Sequence, residues 1–235
     1  MILGIETSTD ICGVALVKGG QCRLALSLHR PREHSSVLLP LVDDLLKQAG
    51  VRPEQIEGLA VTMGPGSFTG LRVGMGLAKG LAMGWRKPLV GVETLRVIAA
   101  RLTVDESTGE CSVIDAKRGE VYSSVFRLQE GVWQDIKKGT CETAESLAAW
   151  IVAHQQDGPL VVTGSGVPMM REFLKPYPWV SFTPEVQWVP LAKTVAKLGE
   201  ILVEKGNFPP ASSLVPLYMR EPPITLKKVK ELRHG

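Results

Sequence analysis

Two acidic residues, Glu6 and Asp115, hold matching places in the two halves of the sequence and could organise a metal ion beside bound phosphate. Each carboxylate ends an apolar, strand-like segment and precedes a polar turn, and a shift of 109 residues superposes one on the other. The first turn could cradle phosphate, and the second could contact phosphate or an RNA backbone through its positive charge. Short polar turns are also common without any ligand, so a purely structural role stays open for both. The turn residues are Thr7, Ser8, Thr9, Lys117 and Arg118.

The segment MGPGSFTGLR (63–72) is the sharpest local motif of the chain. It is typical of a strand, a Gly-Pro-Gly turn and a helix capped by Ser67 or Thr69, and the free amides at such a helix start can hold an anion. The segment is not a P-loop, because the Lys-Ser/Thr pair that completes that motif is absent. A tight turn whose glycines serve only the backbone geometry remains the alternative.

Other catalytic chemistries find little support in the sequence. His29 and His34 lack a third metal ligand nearby, and the four cysteines show neither a CxxC pair nor zinc-type spacing with histidine. No serine or cysteine is paired with a histidine and an acid in an elbow motif. We therefore predict that the chain has no catalytic residue and no resident metal site.

The elements that would position these residues repeat along the chain. Each half follows the order strand, strand, strand, helix, strand, helix, which indicates a mixed sheet covered by helices. Two such halves predict an α/β, actin-like architecture (ASKHA, ribonuclease H-like) with duplicated βββαβα lobes around a cleft. We divide the chain into an N-terminal lobe (1–104), a C-terminal lobe (105–206) and a C-terminal segment with a basic tail (207–235). The predicted helices include 34–49, 69–84, 143–154 and 191–205, the last of which could return to the first lobe, and 164–190 is predicted to be largely irregular.

Two predicted helices suggest a protein interface. Helix 69–84 carries small residues at every fourth position along two lines, one from Gly70 to Ala82 and one from Gly76 to Gly84. Each interior glycine costs about 1 kcal/mol relative to alanine, and close helix–helix approach could offset that cost. Helix 34–49 has an apolar face wider than packing on its own sheet needs. Packing inside the chain alone is the alternative to a partner interface. The predicted contact residues are His34, Leu38, Leu41, Leu45, Gly70, Leu71, Gly74, Met75 and Ala78.

Composition and charge exclude several classes of protein. The 235 residues are 44% hydrophobic and 22% charged, which is typical of a globular protein. The net charge of +3 is carried by residues 220–235, so the rest of the chain shows no general bias toward nucleic acid. No apolar run approaches the roughly 20 residues that span a bilayer, and no signal peptide is evident. We predict a cytoplasmic protein with reduced thiols and no membrane partner.

Six segments together resemble the TsaB (YeaZ) family, which takes part in the synthesis of threonylcarbamoyladenosine on bacterial tRNA. The resemblance implies an actin-like fold and a heterodimer with the catalytic paralogue TsaD, which is helped by the ATPase TsaE and transfers the threonylcarbamoyl group to the adenosine beside the anticodon. It also implies loss of the His-x-x-x-His metal motif of TsaD, because Thr94 and Ile98 stand at the matching places and cannot replace imidazole. The segments are LGIETSTDICGVALV, HSSVLLPLV, AVTMGPGSFTGLRVGMGLAKGLA, PLVGVETL, IDAKRGEVY and PLYMR.

The sequence and the resemblance together predict a non-catalytic scaffold subunit that activates TsaD. No cofactor is required in this interpretation, although weak binding of ATP or ADP stays open. TsaE would join a larger complex, tRNA would be contacted mainly within that complex, and the chain alone could form a homodimer. The alternatives are a nucleotide-binding ATPase of the same fold, a tRNA-binding module that uses Lys117, Arg118 and the basic tail, and a metalloprotease-like protein.

Overall fold

The structure is a computed structural model that describes residues 1–154, 158–206 and 208–220. Most of the predicted basic tail therefore lies outside the described residues. The first lobe contains β1 (Ile2–Glu6), β2 (Ile11–Lys18), β3 (Gln21–His29), α1 (His34–Ala49), β4 (Gly58–Gly64), α2 (Phe68–Trp85), β5 (Leu89–Glu93) and α3 (Thr94–Ala99). The second contains β6 (Gly109–Lys117), β7 (Glu120–Gln129), β8 (Val132–Thr143), α4 (Ala144–Ala153), β9 (Leu160–Thr163), α5 (Val167–Leu174) and β10 (Val180–Phe182), and α6 (Ala192–Glu204) follows.

Both lobes are built on a five-stranded sheet of the same topology. The strand orders are β3-β2-β1-β4-β5 and β8-β7-β6-β9-β10. In each sheet the first strand pairs antiparallel with the second and parallel with the strand that follows the first helix. The predicted α/β architecture of duplicated βββαβα lobes is therefore confirmed. Because β1 and β4 run parallel, Glu6 and the Gly-Pro-Gly turn after β4 meet at one edge of the first sheet.

The first sheet is covered on both faces. Every residue of β1 is buried, and successive side chains point to opposite faces. Leu3 and Ile5 lie in the larger apolar cluster, which includes residues of α1 and α2. Ile2 lies in a separate cluster that includes Val195 and Ala196 of α6. Burial of both faces explains why β1 is apolar throughout instead of alternating with polar residues.

Helix α6 packs on the first sheet. The division of the chain at 105–206 assigned it to the second lobe, and the structure corrects that assignment in favour of the alternative, a returning helix. A Cβ atom placed on Gly4 would lie 2.5 Å from the carbonyl oxygen of Ala192 and 2.7 Å from Cβ of Ala196, so only glycine lets the helix approach β1 this closely. The second sheet packs against α4 and α5 in one apolar cluster and against α3 in another.

Two strands of the second lobe differ from the prediction. Strand β10 lies inside the region predicted to be irregular. The sequence pattern predicts a strand at 132–137, and the observed β8 continues beyond that range to Thr143. Strand β8 lies at the edge of the sheet and is largely solvent-facing, so its side chains show no apolar alternation, while its backbone pairs with β7 from Glu120↔Thr143 to Gln129↔Val132. Within the described residues no helix is long and apolar enough to cross a bilayer.

Candidate functional site

The carboxyl group of Glu6 is sealed inside the first lobe. Glu6 is 1% exposed at the end of β1. Its Oε1 accepts hydrogen bonds from the Ser8 amide at 2.6 Å and from the Ser8 hydroxyl at 2.5 Å. Burial raises the pKa of Glu6 to about 7, and the hydrogen bonds from Ser8 and Thr62 only partly oppose this effect. The group is therefore partly protonated at neutral pH and has little surface to offer a ligand.

The turn after Glu6, predicted to cradle phosphate, is filled by the chain itself. The carbonyl oxygen of Ser8 accepts a hydrogen bond from the Ser67 amide at 2.7 Å, and the Ser8 amide already donates to Glu6. Thr7 is fully buried beneath α2. Thr9 is half-buried, and its carbonyl oxygen lies 2.9 Å from Nε2 of His34. Of the three predicted phosphate ligands, only Thr9 keeps an appreciably exposed side chain.

The second predicted turn is stabilised by a local ion pair. Oδ1 of Asp115 accepts a hydrogen bond from the Lys117 amide at 2.7 Å, and Oδ2 lies 2.6 Å from Lys117 Nζ. Partial burial disfavours the ionised form of Asp115, but the two Lys117 hydrogen bonds and the lysine charge outweigh it, so the pKa of Asp115 is lowered. The Ser165 hydroxyl accepts a bond from the Asp115 amide at 3.1 Å. Lys117 and Arg118 are exposed and have φ of 65° and 61°.

A cleft of about 570 Å³ separates the lobes. Its charged side chains are Asp10, Asp115 and Glu185 against Lys117 alone, so the cleft carries an excess of negative charge. That excess disfavours a polyphosphate that arrives without cations. Glu6 does not line this cleft; it lines a smaller cavity of about 220 Å³ beside α6. The other cleft residues include Ser8, Thr9, Ile11, His29, Ser67, Ile98, Ile114, Tyr122, Ser165, Trp188 and Pro190.

Thr94 and Ile98, which the sequence resemblance predicts to stand at the TsaD metal motif, are not metal-binding residue types. Thr94 and Ile98 lie on α3, one turn apart, and are 0% and 1% exposed. Across the part of the chain that the structure describes, no group of three His, Cys, Asp or Glu side chains could hold a metal ion. Hydrolytic metal sites need about three protein ligands, so the geometry gives the metalloprotease alternative no support.

The structure corrects the nine predicted interface residues, because all of them are buried within the chain. Leu38, Leu41 and Leu45 of α1 and Met75 of α2 belong to the apolar cluster on the first sheet. Gly70 and Gly74 face the end of β1, where an added Cβ at either position would fall within 3.0 Å of Thr7. The line of small residues from Gly70 to Ala82 thus lets α2 pack on its own sheet. The remaining members, His34, Leu71 and Ala78, are likewise at most 5% exposed.

The second small-residue line of α2 faces outward. Gly76, Gly80 and Gly84 are exposed, and an added Cβ on any of them would have no neighbour within 4 Å. Met83 beside them is 69% exposed, and Leu39 on α1 is 54% exposed. We call Gly76, Gly80, Met83 and Gly84 of α2 the outer face. The sequence shows both lines of small residues, but its periodicity alone does not say which line faces the sheet. The predicted interface residues therefore included the line that the structure places against the sheet.

Comparisons with known proteins find similar sequences over most of the chain. A family model described as "TsaD: tRNA N6-adenosine threonylcarbamoyltransferase" matches residues 29–182. The chain is 37% identical over 171 residues to the tRNA threonylcarbamoyladenosine biosynthesis protein TsaB of Escherichia coli (strain K12), in an alignment that covers 70% of this chain and 71% of the relative.

Solved structures agree as well. YeaZ from Pseudomonas aeruginosa superposes with a TM-score of 0.76 at 28% identity, covering 92% of this chain and 98% of that one. The ROK hexokinase of Thermus thermophilus, at 12% identity, shares only the fold, with a TM-score of 0.50 over 87% of this chain and 99% of the hexokinase. The topology of the two sheets and these similarities lead to one conclusion: the chain belongs to the TsaB (YeaZ) family.

Proposed function

We propose that this protein is a non-catalytic subunit of the machinery that makes threonylcarbamoyladenosine on tRNA, and that it acts by binding TsaD. The single observation that carries the proposal is the outer face, an apolar, glycine-lined surface that the described residues leave uncovered. Glycines along a helix permit a second helix to approach within backbone contact, which is the packing that a helical partner would use. The names of the relatives support the pathway.

The absence of catalysis by this chain is supported by the site. A partner enzyme must supply the metal ligands that Thr94 and Ile98 cannot supply. The cleft between the lobes offers an excess of negative charge and a phosphate turn whose Ser8 amide already donates to Glu6. We therefore propose that no nucleotide is required, and that ATP or ADP binds this cleft only weakly. The ATPase and metalloprotease alternatives would both need groups that these residues do not provide.

The other partners follow from the same proposal. TsaE joins the larger assembly, and tRNA is contacted mainly within it, where Lys117 and Arg118 present exposed positive charge beside the cleft. In the absence of TsaD the outer face of one copy could pair with that of another, because an isologous contact needs only one self-complementary patch. The cytoplasmic location stays a prediction.

The proposal is tested with Gly80→Leu. A leucine at this position would stand between two helices that need close approach, so we expect the dissociation constant for TsaD to rise about tenfold or more. The variant should fold normally, because an added Cβ meets nothing within 4 Å and leucine is a better helix former than glycine. Titration calorimetry with purified TsaD measures the affinity.

Ala149→Leu is the matched control, since Ala149 is an exposed position on α4 of the other lobe. Its affinity for TsaD should equal that of the unmodified protein. Equal affinities for the unmodified protein, Gly80→Leu and Ala149→Leu would remove the outer face from the interface.

A further inference from the structure

The C-terminal segment runs from one lobe to the other within four residues. At its start, the Leu217 amide donates a hydrogen bond to the carbonyl oxygen of Met63 on β4, at 2.6 Å. At its end, Arg220 donates to the carbonyl oxygen of Ala116 on β6, at 3.2 Å, and forms an ion pair with Glu120 of β7. We call Leu217–Arg220 the strap, because its two ends are fixed to different sheets.

The strap is fixed to the first lobe by an aromatic and cationic cluster. The hydroxyl oxygen of Tyr218 accepts a hydrogen bond from Nε of Arg72 at 2.9 Å. The Tyr218 ring lies 5.1 Å from the Phe68 ring, and the Arg72 guanidinium lies 3.8 Å from the centre of the same Phe68 ring. Cation–π and aromatic pairs of this kind add to the energy of area burial. The strap is thus held to α2 by more than its backbone bond.

Met219, in the middle of the strap, fills a gap between the lobes. Met219 packs against a small cluster formed by Leu95 and Ala99 of α3 and Phe126 of β7. The chain makes room for this side chain at Gly139 of β8, where an added Cβ would lie within 3.0 Å of the Met219 methyl group. A flexible thioether suits such an irregular gap. Met219 therefore contacts both lobes at once.

The link to the second lobe is polar and half-buried. The side chains of Arg220 and Glu120 are 30% and 35% exposed, and the same Nη2 of Arg220 that pairs with Glu120 lies 3.8 Å from Sγ of Cys141. A guanidinium can satisfy a carbonyl and a carboxylate together, which a lysine cannot do in the same geometry. Arg220 is the charged residue of the strap, and its loss would remove the strap's ion pair with the second lobe.

We propose that the strap locks the two lobes in one relative orientation and that Arg220 is its latch. Lobes of one chain are expected to move relative to each other unless their contacts are extensive, and two-lobed folds commonly close by hinge motion around a ligand. The strap fixes the width of the cleft by protein contacts, without a bound ligand. This goes beyond the proposed function, since the lock would hold whether or not TsaD binds the outer face.

The experiment measures the distance between the lobes in the full chain with and without the latch. Spin labels are placed on Cys22, which is exposed on β3, and on Glu172→Cys, which is exposed on α5, in a Cys141→Ser background. The two remaining cysteines, Cys12 and Cys111, are buried and should not react. Double electron–electron resonance then gives the distribution of interlobe distances.

Arg220→Ala is expected to widen this distribution about twofold, because the strap then loses its ion pair with the second lobe and the lobes stay joined at α3, where Arg96 pairs with Asp135 of β8. Hydrogen exchange of the Leu217 amide should rise about tenfold, the change expected when a charge-assisted hydrogen bond is lost. The charge-swapped pair Glu120→Arg with Arg220→Glu should narrow the distribution again. Arg118→Ala is the control of equal charge, since no hydrogen bond or ion pair of Arg118 lies among the described residues.

Two results would contradict the proposal that the strap locks the lobes. An unchanged distance distribution in Arg220→Ala would do so, even if the Leu217 amide exchanged faster, because the strap would then loosen without freeing the lobes. An equal widening in Arg118→Ala would do so as well, because the effect would then follow from net charge and not from the latch.

Discussion

The replacement Gly74→Leu tests the correction that the structure makes to the orientation of α2. Gly74 lies against the buried end of β1, and a Cβ at this position would stand within 3.0 Å of Thr7 Oγ1 and 3.2 Å from both Thr7 Cβ and Thr7 Cγ2. Rotation of the threonine side chain gives no relief, because all of its atoms border the same space. Gly80, six residues later on the same helix, has no neighbour within 4 Å of an added Cβ.

We expect the two substitutions to change the free energy of unfolding in opposite directions. Replacing an interior helical glycine by leucine gains about 0.8 kcal/mol of helix propensity at either site. At Gly74 the side chain also enters a packed core, where overpacking typically costs about 1–3 kcal/mol and more when the backbone must move. Four added carbons beside a fixed strand belong at the upper end of that range. We expect the free energy of unfolding to fall by about 2 kcal/mol or more in Gly74→Leu and to rise by about 0.5–1 kcal/mol in Gly80→Leu.

Urea denaturation followed by far-ultraviolet circular dichroism measures both variants beside the unmodified protein. A lower midpoint for Gly74→Leu with an unchanged slope would mean that the folded state lost stability. The helix, the substitution and the propensity gain are the same in both variants. The difference between their free energies of unfolding therefore reports the cost of packing leucine against β1. If Gly74→Leu were as stable as Gly80→Leu, the inner glycine line would not pack on β1, and the original interface residues would have to be considered again.

Two further predictions concern Glu6 and the cleft. The pKa of Glu6 is raised from 4.5 to about 7, so the folded protein binds this proton more tightly than the unfolded chain does. The Glu6 contribution therefore destabilises the fold progressively as pH rises from about 4.5 to 7, by about 3 kcal/mol in total. Between pH 5 and 7.5, urea denaturation should show Glu6→Gln losing about 2 kcal/mol less stability than the unmodified protein. Equal pH dependence in both proteins would contradict the burial of the carboxyl group. ATP without divalent cations should bind the isolated chain with a millimolar or weaker dissociation constant in calorimetry, and Asp10→Asn with Glu185→Gln should lower that constant by removing negative charge from the cleft. A micromolar constant for the unmodified protein would favour the ATPase alternative.

Much of the fold was accessible from the sequence because its signals are local. Helix α1 was predicted at 34–49 and is observed at His34–Ala49, since its apolar periodicity is strong and Gly50 ends it in a left-handed conformation. The repeat of three strands was visible because tight turns separate apolar segments twice. Strand β10 was missed because three residues beside several prolines carry no periodic signal, and only pairing with β9 defines them.

The candidate site was harder to predict because it depends on which groups meet in space. The sequence identified Glu6 and Asp115 as equivalent acids, but the structure seals one and pairs the other with Lys117. The phosphate turn looked available in the sequence, yet the Ser8 amide donates to Glu6 and the Ser8 carbonyl accepts from Ser67. The bond between Ser8 and Ser67 joins residues about 60 positions apart, which no local pattern reports.

By itself the sequence determined the family and the duplicated βββαβα order, because residue identity and local periodicity are enough for these conclusions, and the loss of the histidine motif at Thr94 and Ile98 stays a prediction. Only the tertiary structure decided which line of small residues on α2 faces the sheet, because both lines have the same spacing and differ only in what lies opposite. It also decided that α6 returns to the first lobe and that PLYMR joins the lobes. Those outcomes depend on long-range packing, in which the partner of a residue is fixed by the folding of the whole chain.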